Sequence, residues 1–320
     1  MFSYLRIKLV FLREERIGHQ IGDFAKLIEH AKKLRINENT ETYFIFSDDK
    51  KYIANLYVQG YFRKLLLKQN FKIFFKNSNL IISTINFLCE FNILRNCKNI
   101  FYKDSSFLKI YHSFKEPLIK VSDNYYSLCQ ELEITPFEYV CIYSREDAYL
   151  NERFSNIDWS YHKFRNSDIN KKKLISDYIV NDQKISVIRV GSKVNNKLNW
   201  ASKSDNSKNP KIVDYSRSKY QSDKNDIDII AGAKLFVCDG GGVSIVAHAS
   251  KRNLIGINSV PIGISIFGNI PMIIPALIRR ISDNSYLSFK EIVENGLAFT
   301  NNGFEYEKMG YYVEENRYCK

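Results

Sequence analysis

The chain has 320 residues, of which 45% are hydrophobic, 14% aromatic and 26% charged. That length exceeds what one hydrophobic core commonly serves, so two domains are expected, and the apolar content excludes a disordered or low-complexity chain. The net charge of +12 fits attraction to phosphate-bearing partners (nucleotide-sugars, anionic lipid surfaces or nucleic acid) and equally a solvated basic surface, and its longest block of like charge is only Lys171-Lys172-Lys173.

In chain order, YLRIKLVFL (4–12) is short and apolar enough for a buried strand, and the polar turn REERIGH follows it. Arg6 and Lys8 interrupt this first apolar stretch, so it does not read as a secretory signal, and a cytoplasmic location is expected. From Ile21 to Leu34 the apolar residues fall at helical spacing. Then come a strand over TYFIFS (42–47), a helix over YIANLYVQGYFRKLLL, a strand over FKIFF (71–75) and a helix over NLIISTINFLCEF (79–91). Strands alternating with helices indicate a parallel sheet with crossover helices.

A second series follows Pro136. Strands are expected at EYVCIYS (138–144), ISVIRVG (185–191), KIVDYS (211–216), KLFVCD (234–239) and NLIGIN (253–258). Helices are expected near 168–180, 222–233 and 242–250, and NKLNWASKSDNSKNP (196–210) reads as a polar loop. The segment 262–278 is strongly apolar but is broken by Pro, Gly and Asn, so it reads as core or as surface-lying chain before it reads as a membrane span. The expected architecture is α/β, with two Rossmann-like domains, residues 1–133 and 134–320, facing a ligand cleft, and with the last residues packing back on the first domain.

The six cysteines, at 89, 97, 129, 141, 238 and 319, form no C-x-x-C pair, and no His stands at zinc-like spacing. Cys141 and Cys238 lie in apolar strand-like runs and read as small buried hydrophobes in a reducing compartment. No metal and no cofactor are expected. Asp226-Ile227-Asp228 has the form of a metal-holding D-x-D string, but it stands at a helix start, where acidic residues suit the dipole.

Three consecutive glycines, Gly240-Gly241-Gly242, follow Asp239 at the end of an expected strand and precede a helix. Glycine reaches backbone angles closed to other residues and leaves room for a ligand, so the triplet suits a diphosphate; it suits a tight strand-to-helix turn as well. Ser244 could add a hydroxyl, and Asp239 caps the turn or meets a ligand hydroxyl. The triplet matches neither the dinucleotide fingerprint nor the P-loop spacing.

The strand–DGGG–helix–His248 arrangement resembles the strand–D[ST]G–x–x–H region of glycosyltransferases of the GT-B architecture. With RIGH (16–19), YVCIYSREDAYL (139–150), YHKFRNSDI (161–169), IRVGSK (188–193) and NPKIVDYSRSKYQSDKNDIDII (209–230), the chain is similar to a family of bacterial glycosyltransferases, distantly related to fucosyltransferases and heptosyltransferases. Three positions depart from the pattern. Tyr143 stands where the His-x-Arg of related fucosyltransferases has histidine, and Gly240 and Gly241 stand where Ser or Thr is common.

The resemblance implies transfer of a sugar from a nucleotide-sugar donor to a cell-surface glycan or lipid-linked acceptor, without a bound metal. An anionic membrane remains a further contact, and no nucleic-acid motif is present. Arg145 would stabilise the leaving diphosphate, or form a salt bridge with Glu146 or Asp147. His19, after the first strand, would take the acceptor's proton, or hold a phosphate without proton transfer. Arg165, Asn166 and Asp168 would bind donor or acceptor hydroxyls, or Ser167 or Asp168 would cap the next helix. Gly191, Ser192 and Lys193 would make a second phosphate or sugar contact, or a plain polar turn. Tyr220 and Asp223 would meet the base or ribose, Asp223 being equally an N-cap. His30, His112 and His162 show no partner pattern and read as surface or core. The competing functions are a catalytically inactive binding protein on this fold and a nucleotide-sugar epimerase.

Overall fold

A computed structural model describes residues 7–11, 41–46, 55–68, 72–75, 116–153, 155–195, 197–202, 210–265 and 272–316. The chain divides into two compact units, Met1–Phe114 and Lys115–Lys320. In the first unit, strands β1 (Ile7–Phe11), β2 (Glu41–Phe46) and β3 (Lys72–Phe75) lie parallel in the order β1-β2-β3, and helix α1 (Leu56–Lys68) connects the last two. Asn55, itself buried, accepts the Val58 amide at 2.9 Å and so satisfies one of the amides left over at the α1 start. The helix expected over 21–34 and the one over 79–91 lie outside the described residues.

The second unit opens with helix α2 (Tyr125–Glu131). Its Tyr125 ring lies where a Cβ on Gly232 would stand, 2.4 Å away, so only glycine permits this packing. Just before α2, the Ser122 amide and hydroxyl both donate to Asp228, at 2.7 and 2.6 Å, and the amides of Leu118 and Ile119 donate to the Ala249 carbonyl. These ties join residues from Leu118 onward to the second unit, so the division falls before α2, where the sequence placed it just after, at 133/134.

Six parallel strands form the sheet of this unit: β4 (Tyr139–Tyr143), β5 (Ser186–Arg189), β6 (Ile212–Asp214), β7 (Leu235–Cys238), β8 (Asn253–Ser259) and β9 (Met272–Pro275), in the order β6-β5-β4-β7-β8-β9. That is the doubly wound order, with the direction of winding reversed between β4 and β7. The crossover segments hold helices α3 (Ala148–Arg153), α4 (Lys173–Asn181), α5 (Asp223–Ala231) and α6 (Ser244–Ala249), with α7 (Ile262–Ser265) after β8.

Both faces of the central strands are covered, which is why they read as continuous apolar runs. Val140 and Ile142 face one core with Ile169, Val187, Val237 and Ile257. On β4 the alternate residues Tyr139 and Cys141 face α5, where the Tyr139 hydroxyl donates to the Ile229 carbonyl at 2.8 Å. Cys129, Cys141 and Cys238 are reduced and buried, and burial pushes the Cys238 thiol up to about 12.

Beyond β9 the chain adds β10 (Leu277–Arg280), α8 (Phe289–Glu294), α9 (Gly303–Lys308) and β11 (Tyr311–Glu314), with β10 and β11 antiparallel. Val260, Ile278, Leu287, Ile292, Leu297 and Tyr306 form their core. Phe164 packs against Tyr306 at a ring separation of 5.3 Å, which seats this element on the turn Ser160–Arg165. Among the described residues, no helix is long and apolar enough to cross a membrane. Met272 and Ile274 on β9 are exposed, so that part of the apolar segment is not wholly core.

Candidate functional site

Arg145, Asp239 and the glycines Gly240–Gly242 lie at the carboxyl ends of β4 and β7, on either side of the reversal point. In open parallel sheets that point is where the loops diverge and leave a crevice. β4 ends on Tyr143 and continues into Ser144 and Arg145; β7 ends on Cys238 and continues into Asp239.

Asp239 does not present its carboxylate to a ligand. Its side chain and that of Lys172 are both fully buried, with the Lys172 ammonium 2.9 Å from each carboxylate oxygen. The ammonium also donates to Ser144 Oγ at 2.5 Å and Ser167 Oγ at 3.3 Å. The Ser167 hydroxyl and the Arg145 amide donate to the same carboxylate. One buried ion pair therefore fastens the end of β4, the 160–172 turns and the end of β7 together. Lys172 and Ser144 were not among the predicted residues, and Ser167 was expected only as an alternative helix cap. A lysine within Lys171-Lys172-Lys173 reads as a solvated charge, and nothing in the string marks its middle member as buried.

A second buried cation, Arg189 at the end of β5, is 1% exposed. It donates to Glu146 at 2.8 Å and lies 3.6 Å from Asp214. Glu146 is thus the partner of Arg189, not of Arg145 as one sequence alternative had it.

Arg145 is held differently. Its Nη1 donates to the His162 carbonyl at 3.2 Å and to Asn166 Oδ1. Among the described residues, Arg165 reaches Asn301 Oδ1, at 3.5 Å, and its buried Nε has no hydrogen-bond partner. No ion pair joins either guanidinium to a carboxylate among the described residues. Burial and the neighbouring Arg145 bring Arg165 down to about 10, and burial lowers Arg145 as well. Neither guanidinium is ion-paired with a carboxylate among the described residues, in contrast to Lys172 and Arg189, and the carboxylate that acts on Arg145 is Asp147, from beyond ion-pair distance.

The glycine loop lies beside them. Gly240 and Gly241 have φ of +85° and +110°, angles that other residues resist. A Cβ on Gly241 would stand 3.7 Å from the Tyr143 ring, and one on Gly191, at the end of β5, 3.8 Å from it. Tyr143 therefore fills the floor between the two loops. Burial pushes its phenol up to about 12, so it stays protonated near neutral pH. The Ser244 hydroxyl donates to the Gly241 carbonyl at 2.6 Å, which closes the turn. Gly242 lies partly exposed between Gly241 and α6.

Other predicted residues stand apart from this cluster. Lys193 is exposed and pairs with Glu152 at 2.8 Å, and Ser192 is exposed. The Tyr220 hydroxyl donates to Glu131 at 2.6 Å. Ser222, not Asp223, caps α5 by accepting the Asn225 amide; Asp223 is the first helical residue. Asp168 caps the turn Ile169–Lys172. Asp226 accepts from Tyr215 and Gln221, and Asp228 from Ser122, so the D-x-D carboxylates tie α5 to its surroundings. His248 lies within α6. His19, His30 and His112 lie outside the described residues.

No protein-family model matches this chain, and no curated protein sequence matches it. Solved structures do. The chain is similar to the iron-containing dodecameric glycosyltransferase TibC of enterotoxigenic E. coli H10407, with a TM-score of 0.40 and 9% identity over 88% of this chain and 63% of that one. It is similar to E. coli ADP-heptose lipopolysaccharide heptosyltransferase II, with a TM-score of 0.42 and 12% identity over 91% and 98% of the two chains. It is also similar to the E. coli heptosyltransferase WaaC, with a TM-score of 0.33 and 12% identity over 92% and 100%. The chain spans about 63% of the length of TibC.

Proposed function

We propose that this chain is a glycosyltransferase that moves a sugar from a nucleotide-sugar donor to a glycan or lipid-linked acceptor. The observation that carries the proposal is the contrast among the four cations at the carboxyl end of the sheet. Lys172 and Arg189 are buried with carboxylates beside them. Arg145 is buried and Arg165 half-buried; among the described residues no carboxylate is paired or hydrogen-bonded with either, Asp147 acting on Arg145 only from beyond ion-pair distance, and the Arg165 Nε is buried without a partner. Uncompensated buried guanidiniums are costly, and an anion with paired oxygens relieves that cost. A diphosphate at the mouth of a glycine loop meets that description, and the resemblance in the sequence motifs agrees with it.

In this reaction the bond between the sugar's anomeric carbon and the diphosphate oxygen breaks while the acceptor oxygen forms its bond to that carbon. Arg145 and Arg165 stabilise the charge that gathers on the departing diphosphate. His19 is proposed to take the acceptor's proton. Asn166 fixes the Arg145 guanidinium, and the loops at Gly191 and Gly240–Gly242 let the ligand approach the backbone.

The test is a thermal-shift panel of UDP-, GDP-, CMP- and ADP-sugars, ADP-heptose included. A donor present at a hundred times its Kd adds about 2.7 kcal/mol to stability. Stabilisation by one nucleotide class, lost in Arg165→Met, supports the proposal; no stabilisation by any member overturns it. Binding followed by sugar release only with an acceptor identifies a transferase. Conversion of the donor without an acceptor points to an epimerase, and binding without turnover to an inactive relative.

A further inference from the structure

We propose that binding of an anionic diphosphate at Arg145 and Arg165 draws a proton onto His162, so that this imidazole is neutral in the unliganded protein and cationic in the complex. The proposal rests on the donor reading above and adds a residue and a proton to it.

His162 sits in the turn Ser160–Arg165. Its own carbonyl accepts from Arg145 Nη1 at 3.2 Å, so backbone and guanidinium are joined. Its ring packs beside those of Trp159, stacked at 5.9 Å and 14°, and Tyr161, at 4.1 Å, which also contact each other at 6.1 Å. Its Nδ1 is buried and has no hydrogen-bond partner among the described residues. In the cationic form both ring nitrogens are donors, so protonation would leave a buried charged donor unpaired.

The charges around the ring oppose protonation as well. Burial, then Arg145, then Arg165 bring His162 from 6.5 down to about 4. On its own segment Lys163 is exposed. From β4, Tyr143 acts on Arg145, as do Asp147 and Tyr161. On α9, Glu305, Glu307 and Lys308 are exposed, and Tyr306 donates to the Leu297 carbonyl. Beyond it, Glu314 of β11 pairs with Arg279 and Glu315 with Lys171. No carboxylate among the described residues is hydrogen-bonded to the ring or to either guanidinium.

A dianionic diphosphate held by the two guanidiniums reverses this balance. It cancels the field of both cations at the ring, and its oxygens supply the acceptor that Nδ1 lacks. The imidazole then binds a proton across a window from about 4 to about 6.5, and donor affinity rises as pH falls through it, by up to about tenfold per pH unit. The diphosphate of a nucleotide-sugar is a diester and does not titrate in this window, nor do uracil and guanine take up a proton there, so with a UDP- or GDP-sugar the proton belongs to the protein; with an adenine nucleotide the His162→Gln control separates it from protonation of the base.

The experiment is an NMR titration of the five imidazoles, with the His162 signal identified by its loss in His162→Gln. In the unliganded protein its midpoint should lie near 4 and move upward in Arg165→Met, which removes one of the two opposing charges. Saturation with a nucleotide-sugar from the panel should raise the midpoint by one unit or more. Calorimetry at about pH 5.5 in two buffers of different ionisation enthalpy should show proton uptake that is absent in His162→Gln. An unliganded midpoint near 6.5, or a bound nucleotide-sugar that leaves the midpoint in place, overturns the coupling. If no nucleotide-sugar binds but inorganic pyrophosphate raises the midpoint, the coupling stands and the donor reading falls; if neither binds, both fall.

Discussion

The Lys172 ammonium lies 2.9 Å from both oxygens of Asp239, and neither side chain is exposed to solvent. The pair joins residues far apart in the chain at the point where the sheet reverses its winding. Removing one partner leaves a buried charge alone, which commonly costs about 3–5 kcal/mol. Lys172→Met and Asp239→Asn should each lose stability on that scale in denaturant unfolding. A loss under about 1 kcal/mol in both would mean the pair is not the fastening it looks to be.

Asp226 gives a stability effect with a definite pH window. Burial raises its carboxyl from 3.8 to about 6, although Tyr215 and Gln221 both donate to it. An acid whose folded pKa is raised gives up its proton more readily when unfolded, so stability falls as pH rises from about 4 to about 6 and is level above that. Asp226→Asn keeps an acceptor for Tyr215 and removes the titration. It should match or exceed the wild type above pH 6, by on the order of 1–3 kcal/mol, and should lack the decline between pH 4 and 6. Unfolding curves at several pH values check this, and an unchanged decline in the variant would contradict it.

Arg145→Lys should lower kcat more than it raises KM. Lysine keeps the charge, but it cannot reproduce the planar fork that donates to the His162 carbonyl and Asn166. A loss of about 10²-fold in kcat is expected where a donor to developing charge is removed. Normal turnover in the lysine variant would leave Arg145 a structural role only.

Gly241→Val should weaken nucleotide-sugar binding by tenfold or more in a protein that still folds. The φ of +110° opposes a branched residue, at about 1–3 kcal/mol of strain, and its Cβ would face the Tyr143 ring at 3.7 Å. Circular dichroism checks the fold and calorimetry the affinity; a folded variant with wild-type affinity would reduce the loop to a turn.

His19→Ala should lose about 10²–10⁴-fold in turnover with donor affinity nearly unchanged. His19→Gln should do no better, since glutamine forms hydrogen bonds but takes no proton. Activity in the glutamine variant would move the base elsewhere, with Glu14, Glu15 and Asp23 next to be tested.

Much of the second sheet was legible because its strands are covered on both faces and therefore appear as apolar runs; EYVCIYS and KLFVCD became β4 and β7 almost residue for residue. The elements after Pro275 were not anticipated. Their strands β10 and β11 are short and half-exposed, and their period is obscured by arginine and tyrosine. One signal there was available: Ser288-Phe289-Lys290-Glu291 is a capping box, and Ser288 and Glu291 make its two reciprocal bonds at the start of α8. In the site, Arg145 and the glycine loop were legible as residue types at strand ends, and Arg165 as part of the FRNSD string. Lys172 and Ser167 were not, because their roles come from burial against Asp239, which only the fold reveals. His162 was passed over for the same reason, since its surroundings are assembled from Arg145 on one segment and Arg165 on another.

The packing of Tyr125 against Gly232, together with the Ser122 bonds to Asp228, bears on recombination. A chimaera that borrows its first half from another protein and crosses over at residue 134 would leave an unfilled hollow beside Gly232 and strip Asp228 of its donors. The crossover belongs upstream of Leu118, so the join at 133/134 that the sequence suggested is the one that would damage the recipient half.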